Sequence, residues 1–339
     1  MKLIKTEEAV GHVLCHDLTQ IIKDTYKDAR FRKGHVVTEE DIPVLLSMGK
    51  EHLYVWEMTP GTVHENDAAE RLLALCGTEH MQRTQVKEGK IELRADCDGL
   101  FCVDSERLLA VNDTEDVMIA TRKGGTAVRK GDKLAGMRVI PLIIEEEKLE
   151  KAEKAAGSEP LLRLLPYRLK TAAIVTTGSE VKTGRIKDTF TPVVVEKLRA
   201  YGIETVGQIN SGDGVEQVAA AIEQLRAQKP DMIVCTGGMS VDPDDNTPGG
   251  IRRSGASIVT YGAPVLPGAM FLLGYFEDGM PIMGLPGCVM YAGATIFDLV
   301  LPKVAAGVPV TRRDVVALGE GGLCLGCDVC HWPVCPFGK

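Results

Sequence analysis

The sequence predicts an α/β protein: a three-layer domain on a parallel or mixed sheet, with a separate N-terminal α+β region and a short cysteine-rich tail. Three observations predict this architecture. Strand-like and helix-like segments alternate from residue 172 to 235, a charged segment at 145–156 precedes them, and four of the ten cysteines crowd the last sixteen residues. We therefore expect a β-rich subdomain at 1–60, an α+β domain and connector at 61–165, the α/β domain at 166–310 and the tail at 311–339.

Composition narrows the class of protein. Of the 339 residues, 45% are hydrophobic and 25% are charged, as is usual for a soluble globular protein. No apolar run in the sequence is long enough to span a membrane. The first eight residues have neither an apolar core nor a small-residue cleavage site, so we expect no secretion signal. Its net charge of −8 argues against general binding to nucleic-acid phosphates. We expect a cytoplasmic protein that binds neither membrane nor nucleic acid, although local loops can still bind small anions.

The first 160 residues mix short strands and helices. Thr38 predicts a helix N-cap, Gly49 predicts the end of that helix, and residues 52–56 follow as a strand. A second helix is predicted from Asn66 to Cys76, with a Glu88-Gly89 turn after it. The segment EEEKLEKAEKAA at 145–156 favours a solvent-exposed connecting helix, and the Gly-Ser-Glu-Pro sequence that follows places a boundary near residue 160.

The pattern changes after this boundary. Short strands are predicted at 172–175, 203–206 and 232–235, with helices at 189–201 and 215–227 between them. Such alternation predicts right-handed βαβ units and a parallel sheet that is buried on both faces. Ligands of sheets of this kind bind at the carboxyl ends of the strands.

Three glycine-bearing loops follow predicted strands in this domain: Thr176–Glu180, Thr236–Ser240 and Gly284–Gly287. Glycine lets the backbone approach a ligand closely, and a helix that starts directly after Gly287 would offer free N–H groups to an anion. The hydroxyls of Thr176, Thr177, Thr236 and Ser240 add possible donors. Together the loops predict a site for a phosphate-bearing ligand.

Acidic side chains stand in or just after the same loops, at Glu180, Asp188, Asp242, Asp244 and Asp245. Carboxylates beside phosphates are typical of a hard cation such as Mg²⁺, although each acid alone could equally serve as a turn or helix cap. Arg252 or Arg253 could neutralise an oxyanion or could be a surface charge.

At these motifs, residues 170–305 resemble the molybdopterin-binding domain shared by molybdopterin molybdenumtransferase, the molybdopterin adenylyltransferases and the competence/damage-inducible proteins. The resemblance rests on Thr177-Gly-Ser-Glu180, on Thr236-Gly-Gly-Met-Ser-Val241 with the acids after it, and on Gly284-Leu-Pro-Gly287. Two positions depart from the family pattern. Phe190 stands where the family often has Asn, and Cys288 stands where it has another Asn.

The resemblance implies a role for each matching residue. Glu180, Asp242 and Asp244 would be the catalytic, Mg²⁺-holding carboxylates. The residues expected to line the phosphate and pterin site are Thr177, Gly178, Ser179, Gly237, Gly238, Ser240, Asp245, Pro286 and Gly287. The implied partners are molybdopterin or its adenylylated form, molybdate, and a second copy of the chain in a homodimer or higher oligomer.

The implied function is a step of molybdenum cofactor biosynthesis: insertion of molybdate into adenylylated molybdopterin with Mg²⁺ and release of AMP. Because Phe190 and Cys288 lack the amides of the family pattern, a non-catalytic protein that binds, delivers or senses molybdopterin is the alternative. A pyridine-nucleotide hydrolase, as in the competence family, is a third possibility.

The tail carries Cys324, Cys327, Cys330 and Cys335 in the spacing C-x2-C-x2-C-x4-C-P. This is one residue longer than the ferredoxin pattern C-x2-C-x2-C-x3-C-P, so an iron-sulfur cluster is the first interpretation. Zinc on four sulfurs, or on three plus His331, is the alternative, and unligated thiols or disulfides stay open. The Gly-Glu-Gly-Gly sequence at 319–322 predicts a flexible tether, so we expect the tail to order only around a metal.

Overall fold

The computed structural model describes residues 2–22, 26–56, 60–240, 242 and 245–339. Its contacts divide the chain into two compact units. Unit 1 comprises Met1–Asp96, Val103–Gly124 and Gly131–Arg163, and unit 2 comprises Cys97–Cys102, Gly125–Lys130 and Leu164–Lys339. The four-part division expected from the sequence is finer than these two units and stays a prediction.

In the described residues up to 166, short strands alternate with four α-helices. The strands are β1 (Lys2–Lys5), β2 (Val13–Leu14), β3 (Leu18–Ile22), β4 (Tyr26–Phe31), β5 (His52–Trp56), β6 (Thr62–His64), β7 (Met81–Arg83), β8 (Ile91–Ala95), β9 (Gly99–Val103), β10 (Val117–Thr121), β11 (Thr126–Val128), β12 (Lys133–Val139), β13 (Ile143–Glu145) and β14 (Leu162–Pro166). The helices are α1 (Asp41–Ser47), α2 (Glu65–Cys76), α3 (Ser105–Asn112) and α4 (Glu146–Ala156).

Unit 1 is built from small sheets. Within the described residues, the sheets have the strand orders β1-β5-β2, β3-β4, β10-β12-β8-β7 and β13-β6, and their pairing is antiparallel. Alternating burial along β5, with Leu53 and Val55 inside, shows that one face of its sheet covers a core and the other faces solvent. Strands β9, β11 and β14 form a further sheet, which belongs mainly to unit 2.

Of two local predictions in unit 1, one differs from the structure and one is confirmed. The first helix begins at Asp41, because the Asp41 carboxylate accepts hydrogen bonds from the N–H and the hydroxyl of Thr38 at 2.9 and 2.8 Å. Thr38 is therefore a donor and not the N-cap acceptor that we predicted. The Glu88-Gly89 turn is confirmed, with φ values of 51° and 67° at its two residues.

The charged segment at 145–156 forms helix α4, but it is more than a solvated connector. Leu149, Ala152 and Ala156 are buried, and their spacing places them on one side of the helix. The prediction was wrong on this point because three small or apolar residues are enough to bury one face of a helix whose other faces are charged. Gly157, with φ of 67°, ends the helix where we expected.

Unit 2 contains the predicted α/β domain. Its strands are β15 (Thr171–Thr177), β16 (Glu204–Ser211), β17 (Met232–Thr236), β18 (Ser257–Tyr261), β19 (Leu272–Tyr275) and β20 (Pro281–Leu285). Its helices are α5 (Ser179–Lys182), α6 (Phe190–Arg199), α7 (Val215–Arg226), α8 (Thr247–Arg253), α9 (Ile296–Ala305) and α10 (Arg312–Val316). The sheet has the order β16-β15-β17-β20-β19-β18; the first four strands are parallel, and β19 and β18 pair antiparallel at the far edge.

The sheet of unit 2 is the middle of three layers. Ala172 and Ile174 of β15 lie in a core with residues of α6 and α9, whereas Ala173 and Val175 lie in a second core with residues of α7 and α8. Because successive strand residues point to opposite faces, a strand covered on both faces is apolar at every position. The predicted three-layer α/β fold is confirmed.

The helix expected directly after Gly287 starts later. Residues Gly287–Met290 form a short 3-10 turn, and helix α9 begins only at Ile296. The side chains of Thr295 and Asp298 form a capping box at its N-terminus, and both are buried. The N–H groups that the sequence offered to a phosphate at this point are therefore partly satisfied by the chain itself.

The tail packs back onto unit 2. The Cys324 N–H donates to the Leu266 carbonyl at 2.8 Å, and the Gly338 N–H donates to the Gly321 carbonyl at 2.9 Å. Phe337 is 4% exposed and lies in the core on the α6/α9 side of the sheet, where Trp332 also packs. The tail thus differs from the flexible segment we expected, because its apolar side chains reach a core.

In the described part of the chain, no helix has both the length and the apolar character that a membrane span requires.

Candidate functional site

The three predicted loops lie side by side. They follow β15, β17 and β20, which are neighbouring parallel strands, and the register pairs Thr176 with Thr236 and Thr236 with Leu285. Their carboxyl ends are therefore at one edge of the sheet. We call this region the glycine-loop edge and define it as residues 176–180, 236–240 and 284–287.

The first two loops are joined through Thr177. Its hydroxyl donates to the Thr236 carbonyl at 3.0 Å and lies 3.0 Å from the Thr247 hydroxyl, which donates to the Gly237 carbonyl at 2.9 Å. A Cβ atom at Gly237, where φ is 82°, would lie 2.4 Å from the Thr177 carbonyl oxygen. Gly237 is required for this close approach, and the buried Thr177 hydroxyl is used to hold the loops together.

Met239 joins the second loop to the third. It is 3% exposed, and its terminal atoms would lie 2.6 Å from a Cβ added at Gly284, so the thioether packs on the bare backbone of β20. The Tyr261 hydroxyl donates to the Met239 carbonyl at 3.0 Å. Burial raises the pKa of Tyr261, so this phenol stays a donor well above neutral pH.

Ser179 is held from a fourth segment. Its N–H and its hydroxyl both donate to Asp213 Oδ2, at 2.9 and 2.6 Å. Asp213 follows strand β16, which is the outer parallel strand of the sheet. The Ser179 hydroxyl is therefore committed to a carboxylate in this structure.

Asp188 is the centre of a polar network. Its Oδ1 accepts from the N–H groups of Phe190 and Thr191, each at 3.0 Å, and its Oδ2 accepts from the Gln208 amide at 3.0 Å. Burial alone would raise the pKa of Asp188, but hydrogen bonds from Thr191, Phe190 and Gln208 outweigh it and hold the pKa below its ordinary value. Asp188 is thus an ionised anchor for the start of helix α6.

The two residues that depart from the family pattern are buried or partly buried. Phe190 is 7% exposed and lies in the core with residues of α6 and α9, so its ring is not directed to solvent. Cys288 is half-buried, and burial raises the pKa of its thiol. Neither position offers an amide to a ligand.

The expected cation ligands are placed unevenly. Asp242 is exposed, and Asp245 Oδ2 accepts from the Ser240 N–H at 3.0 Å. The Glu180 side chain and Asp244 lie outside the described residues. Across the described ranges, no three His, Cys, Asp or Glu side chains form a group that could hold a metal ion. Of the carboxylates whose positions are known here, Asp188 is already used by the chain, and Asp242 is the most open.

The third loop is partly open. Pro286 is buried, whereas Gly287 is exposed, and a Cβ atom added at Gly287 would meet no atom within 4 Å. Beyond it, the Thr189 hydroxyl lies 3.8 Å from the Met290 sulfur, which connects this loop to the segment around Asp188. Gly287 is therefore open to solvent at this loop.

Arg252 and Arg253 have different surroundings. The Arg253 guanidinium lies 3.1 Å from Glu216 Oε1, and both side chains are mostly exposed, as expected for a surface charge. Arg252 lies over the Tyr261 ring at 5.9 Å, next to the loop that Tyr261 holds. Arg252 is the better placed of the two for an oxyanion.

The cysteines of the tail divide into two pairs. Cys324 and Cys335 are half-buried and pack against the core on the α6/α9 side, whereas Cys327 and Cys330 are exposed. All four are free thiols. A Cβ atom added at Gly293 would lie 2.6 Å from the Cys330 sulfur, so Cys330 packs on the segment that follows the third loop.

Asp213, Gln208, Thr247 and Tyr261 were missed by sequence reasoning. Asp213 had a usable signal, since it lies in a Ser-Gly-Asp-Gly turn at the carboxyl end of a predicted strand. Gln208 lies inside a strand and Tyr261 on an edge strand. Their contacts depend on which strands become neighbours, and local pattern does not contain that information.

Comparison with known families agrees with this geometry. Residues 173–306 match the family described as "Probable molybdopterin binding domain", and residues 3–57 match a domain of unknown function. The molybdopterin molybdenumtransferase of Synechococcus elongatus is 25% identical over 197 residues, which are 55% of this chain and 46% of the relative. A CinA-like protein of Mycobacterium sp. (strain MCS) is 35% identical over 82 residues, or 24% of this chain and 20% of the relative.

These matches cover less than half the length of each curated relative. Among solved structures, the tungsten cofactor synthesizing protein MoaB from Pyrococcus furiosus has a TM-score of 0.34 at 18% identity, covering 40% of this chain and 93% of that one. The molybdopterin biosynthesis moea protein from Pyrococcus horikosii has a TM-score of 0.33 at 15% identity, covering 93% of this chain and 75% of that one. On the family match and its motifs, residues 173–306 of this chain belong to the molybdopterin-binding domain superfamily.

Proposed function

We propose that this chain binds molybdopterin, in its adenylylated form, at the glycine-loop edge and inserts molybdate with Mg²⁺ and release of AMP. The observation that carries the proposal is the alignment of three glycine-bearing loops on neighbouring parallel strands, within the region that matches the molybdopterin-binding family. Support for the broader assignment, a protein of molybdenum cofactor biosynthesis, also comes from the similarity to molybdopterin molybdenumtransferase.

The proposed division of labour follows the surroundings of each residue. Because the hydroxyls of Thr177 and Ser179 are used within the chain, the phosphates would be bound mainly by backbone groups at the loop glycines and by Ser240. The residues proposed to line this site are Thr177, Gly178, Ser179, Gly237, Gly238, Ser240, Asp245, Pro286 and Gly287. Glu180, Asp242 and Asp244 would hold Mg²⁺, whose charge would stabilise the anionic leaving group.

Turnover of the substrate tests this proposal. The full chain is incubated with adenylylated molybdopterin, molybdate and Mg²⁺, and AMP is measured by chromatography. We expect AMP release that depends on molybdate and Mg²⁺. Tight binding of the pterin without AMP would reject the enzyme and favour the alternative below, and the absence of pterin binding would reject both.

A matched pair of variants tests the acidic residues. Glu180→Ala should weaken Mg²⁺-dependent binding of the pterin, whereas Glu196→Ala, at an exposed position of helix α6, should leave it unchanged. Isothermal titration with and without Mg²⁺ measures the difference. Equal affinities of the two variants would show that Glu180 has no role in binding the cation.

The alternative is a non-catalytic protein that binds, delivers or senses molybdopterin. The observation that favours it is the placement of Phe190 in the core and of Cys288 in a half-buried position, since neither side chain can hydrogen-bond a substrate through an amide. The AMP measurement above separates the two functions. In either case we propose a cytoplasmic protein that forms a homodimer or higher oligomer. Light scattering of the purified protein tests the oligomeric state.

We also propose that Cys324, Cys327, Cys330 and Cys335 bind an iron-sulfur cluster, with Zn²⁺ as the alternative. The support is the spacing of the four thiols and the exposure of Cys327 and Cys330. Anaerobic purification, metal analysis and a visible absorption spectrum decide between the two metals. A colourless and zinc-free protein would reject both.

A further inference from the structure

A polar cavity in unit 1 lies outside the glycine-loop edge and has no part in the function proposed above. Its volume is about 350 Å³, within the range of roughly 300–1,000 Å³ that is usual for small-molecule sites. It is lined by residues of both charges and two aliphatic side chains: Asp17, Arg32, Lys33, Glu65, Glu88, Arg138, Ile140 and Leu142.

Glu65 is the buried acidic residue of this cavity. It is the first residue of helix α2, and its side chain is 9% exposed. Among the described residues, no hydrogen bond reaches its carboxylate, and Arg138 Nη2 lies 3.5 Å from Oε2. Burial raises the pKa of Glu65, and the charges of His64, Arg138 and Lys33 oppose that rise only in part. A buried carboxylate with so little compensation is costly unless a ligand supplies donors.

The backbone is shaped around this carboxylate. Cβ atoms added at Gly34 and Gly89, whose φ values are 90° and 67°, would lie 2.9 Å from Glu65 Oε1 and 2.5 Å from Oε2. Two separate loops therefore approach Glu65 at positions where only glycine fits. Their N–H groups are used elsewhere, since Gly34 donates to the Leu14 carbonyl and Gly89 to the Asn66 side chain. Both carboxylate oxygens remain open to donors from a ligand.

The remainder of the lining differs from the surroundings of Glu65. Leu142 is 8% exposed, so an apolar surface lies at the buried part of the cavity. Arg32 is more than half exposed and lies 3.6 Å from the equally exposed Glu88, which is a weak ion pair. Lys33 is exposed beside it. Asp17 is also exposed and accepts from the Lys33 N–H at 2.7 Å, so the rim carries both charges. The cavity thus combines a buried acceptor, an apolar wall and an exposed rim of mixed charge, a combination that suits an organic molecule better than a lone ion.

We propose that this cavity binds a small aminopyrimidine, whose ring edge donates to Glu65 and whose polar substituents lie at the charged rim beside Arg32 and Lys33. An amino group beside a ring N–H presents two parallel donors, which match the two oxygens of a carboxylate as a guanidinium does. The flat ring would pack on Leu142. Pterins are members of this class. The choice of a pterin as the ligand rests on the proposed function, but the chemical match between an aminopyrimidine edge and Glu65 is independent of it.

Fluorescence titration of the full chain with pterin-6-carboxylate tests the proposal. We expect saturable binding, a loss of at least about tenfold in affinity for Glu65→Gln, and a smaller loss with a weaker salt dependence for Arg32→Gln. Glu106→Gln is the matched control, because Glu106 also lies in the first turn of a helix of unit 1 but is exposed. Its affinity should equal that of the unmodified chain. Lumazine-6-carboxylate, which lacks the amino donor, should bind more weakly.

The outcomes also separate this site from the glycine-loop edge. Thermal unfolding checks that Glu65→Gln and Arg32→Gln are folded. No binding by the unmodified chain, or equal affinity in Glu65→Gln, overturns the proposal. If Ser240→Ala lowers the affinity and Glu65→Gln does not, the probe binds at the glycine-loop edge, which overturns this inference and leaves the proposed function intact.

Discussion

The Asp188 carboxylate near the glycine-loop edge of unit 2 accepts hydrogen bonds from two backbone N–H groups and a side-chain amide, all at 3.0 Å. The Glu65 carboxylate in the cavity of unit 1 receives none from the described residues and has one ion-pair distance of 3.5 Å there, to Arg138. The pKa of Asp188 is lowered and that of Glu65 is raised. A carboxylate with satisfied oxygens holds its own chain in place, whereas one without donors is available to something else.

The same contrast applies to hydroxyls and glycines. At the glycine-loop edge, Thr177, Ser179 and Thr247 are all used to connect loops, so the sequence pattern that suggested ligand donors also builds the loops themselves. In the cavity, Gly34 and Gly89 make room for a side chain and do not connect to it by hydrogen bonds. Variants of groups that are used within the chain should therefore lose more stability than variants of groups that are not.

Gly237→Ala should destabilise unit 2 by about 3 kcal/mol or more, because a left-handed φ is combined with a contact of 2.4 Å to the Thr177 carbonyl oxygen. Gly184→Ala is the control: its φ is 72°, but no atom lies within 4 Å of the added Cβ, so about 1 kcal/mol is expected. Urea unfolding measures both. Equal losses would mean that the loops are not held as closely as the structure shows.

Phe337→Ala should cost about 3 kcal/mol of docking free energy, because the ring is 4% exposed in the core on the α6/α9 side. Val334→Ala, at a position that is 83% exposed, should cost almost nothing. Limited proteolysis of the tail detects the difference, with rapid cleavage expected only for Phe337→Ala. Cleavage of the unmodified chain at the same rate as Phe337→Ala would show that the tail is not docked on this core.

Thr177→Val should destabilise the chain by about 1–3 kcal/mol, because the Thr236 carbonyl loses its donor and the Thr247 hydroxyl loses a partner. Thr236→Val should be neutral or slightly stabilising, since the buried Thr236 hydroxyl has no hydrogen-bond partner among the described residues. Chemical unfolding of the two variants compares a used hydroxyl with an unused one in adjacent strands. A larger loss for Thr236→Val would contradict the assignment.

Asp188→Asn and Glu65→Gln should change stability by about 1 kcal/mol in opposite directions at pH 7. The lowered pKa of Asp188 means that its ionised form favours the folded state, so the loss in Asp188→Asn should vanish as the pH falls below the ordinary value of 3.8. The raised pKa of Glu65 means that its ionised form opposes folding. The gain in Glu65→Gln should therefore appear as the pH rises above the ordinary value of 4.5.

Urea unfolding at pH 7 follows both variants, with a second measurement near pH 4 for Glu65→Gln and one below pH 3.8 for Asp188→Asn. A loss of stability in Glu65→Gln at pH 7 would show that the Glu65 carboxylate is satisfied within the chain, and the inference about the cavity would lose its physical basis. A gain in stability together with a loss of ligand affinity is the combination expected of a binding residue.

Much of the fold could be predicted from the sequence because its signals are local. The uninterrupted apolar runs at 172–175 and 232–235 indicated strands that are covered on both faces, and both are buried in the sheet. The glycine loops were placed at the carboxyl ends of these strands by the same alternation. The start of the helix after Gly287 was misplaced, because the segment from 288 to 304 is largely apolar from its first residue, so its apolar character does not mark where the helix begins.

The sequence by itself determined the three-layer α/β class, the three loops and the four tail cysteines, since residue type and spacing are sufficient for these. Only the tertiary structure decided how the polar groups are used: that Asp213 holds Ser179, that Gln208 reaches Asp188, and that no described residue donates a hydrogen bond to the Glu65 carboxylate. The physical reason is that a hydrogen bond or a desolvation cost depends on which distant residue arrives at about 3 Å, and this is fixed only when the strands and helices pack.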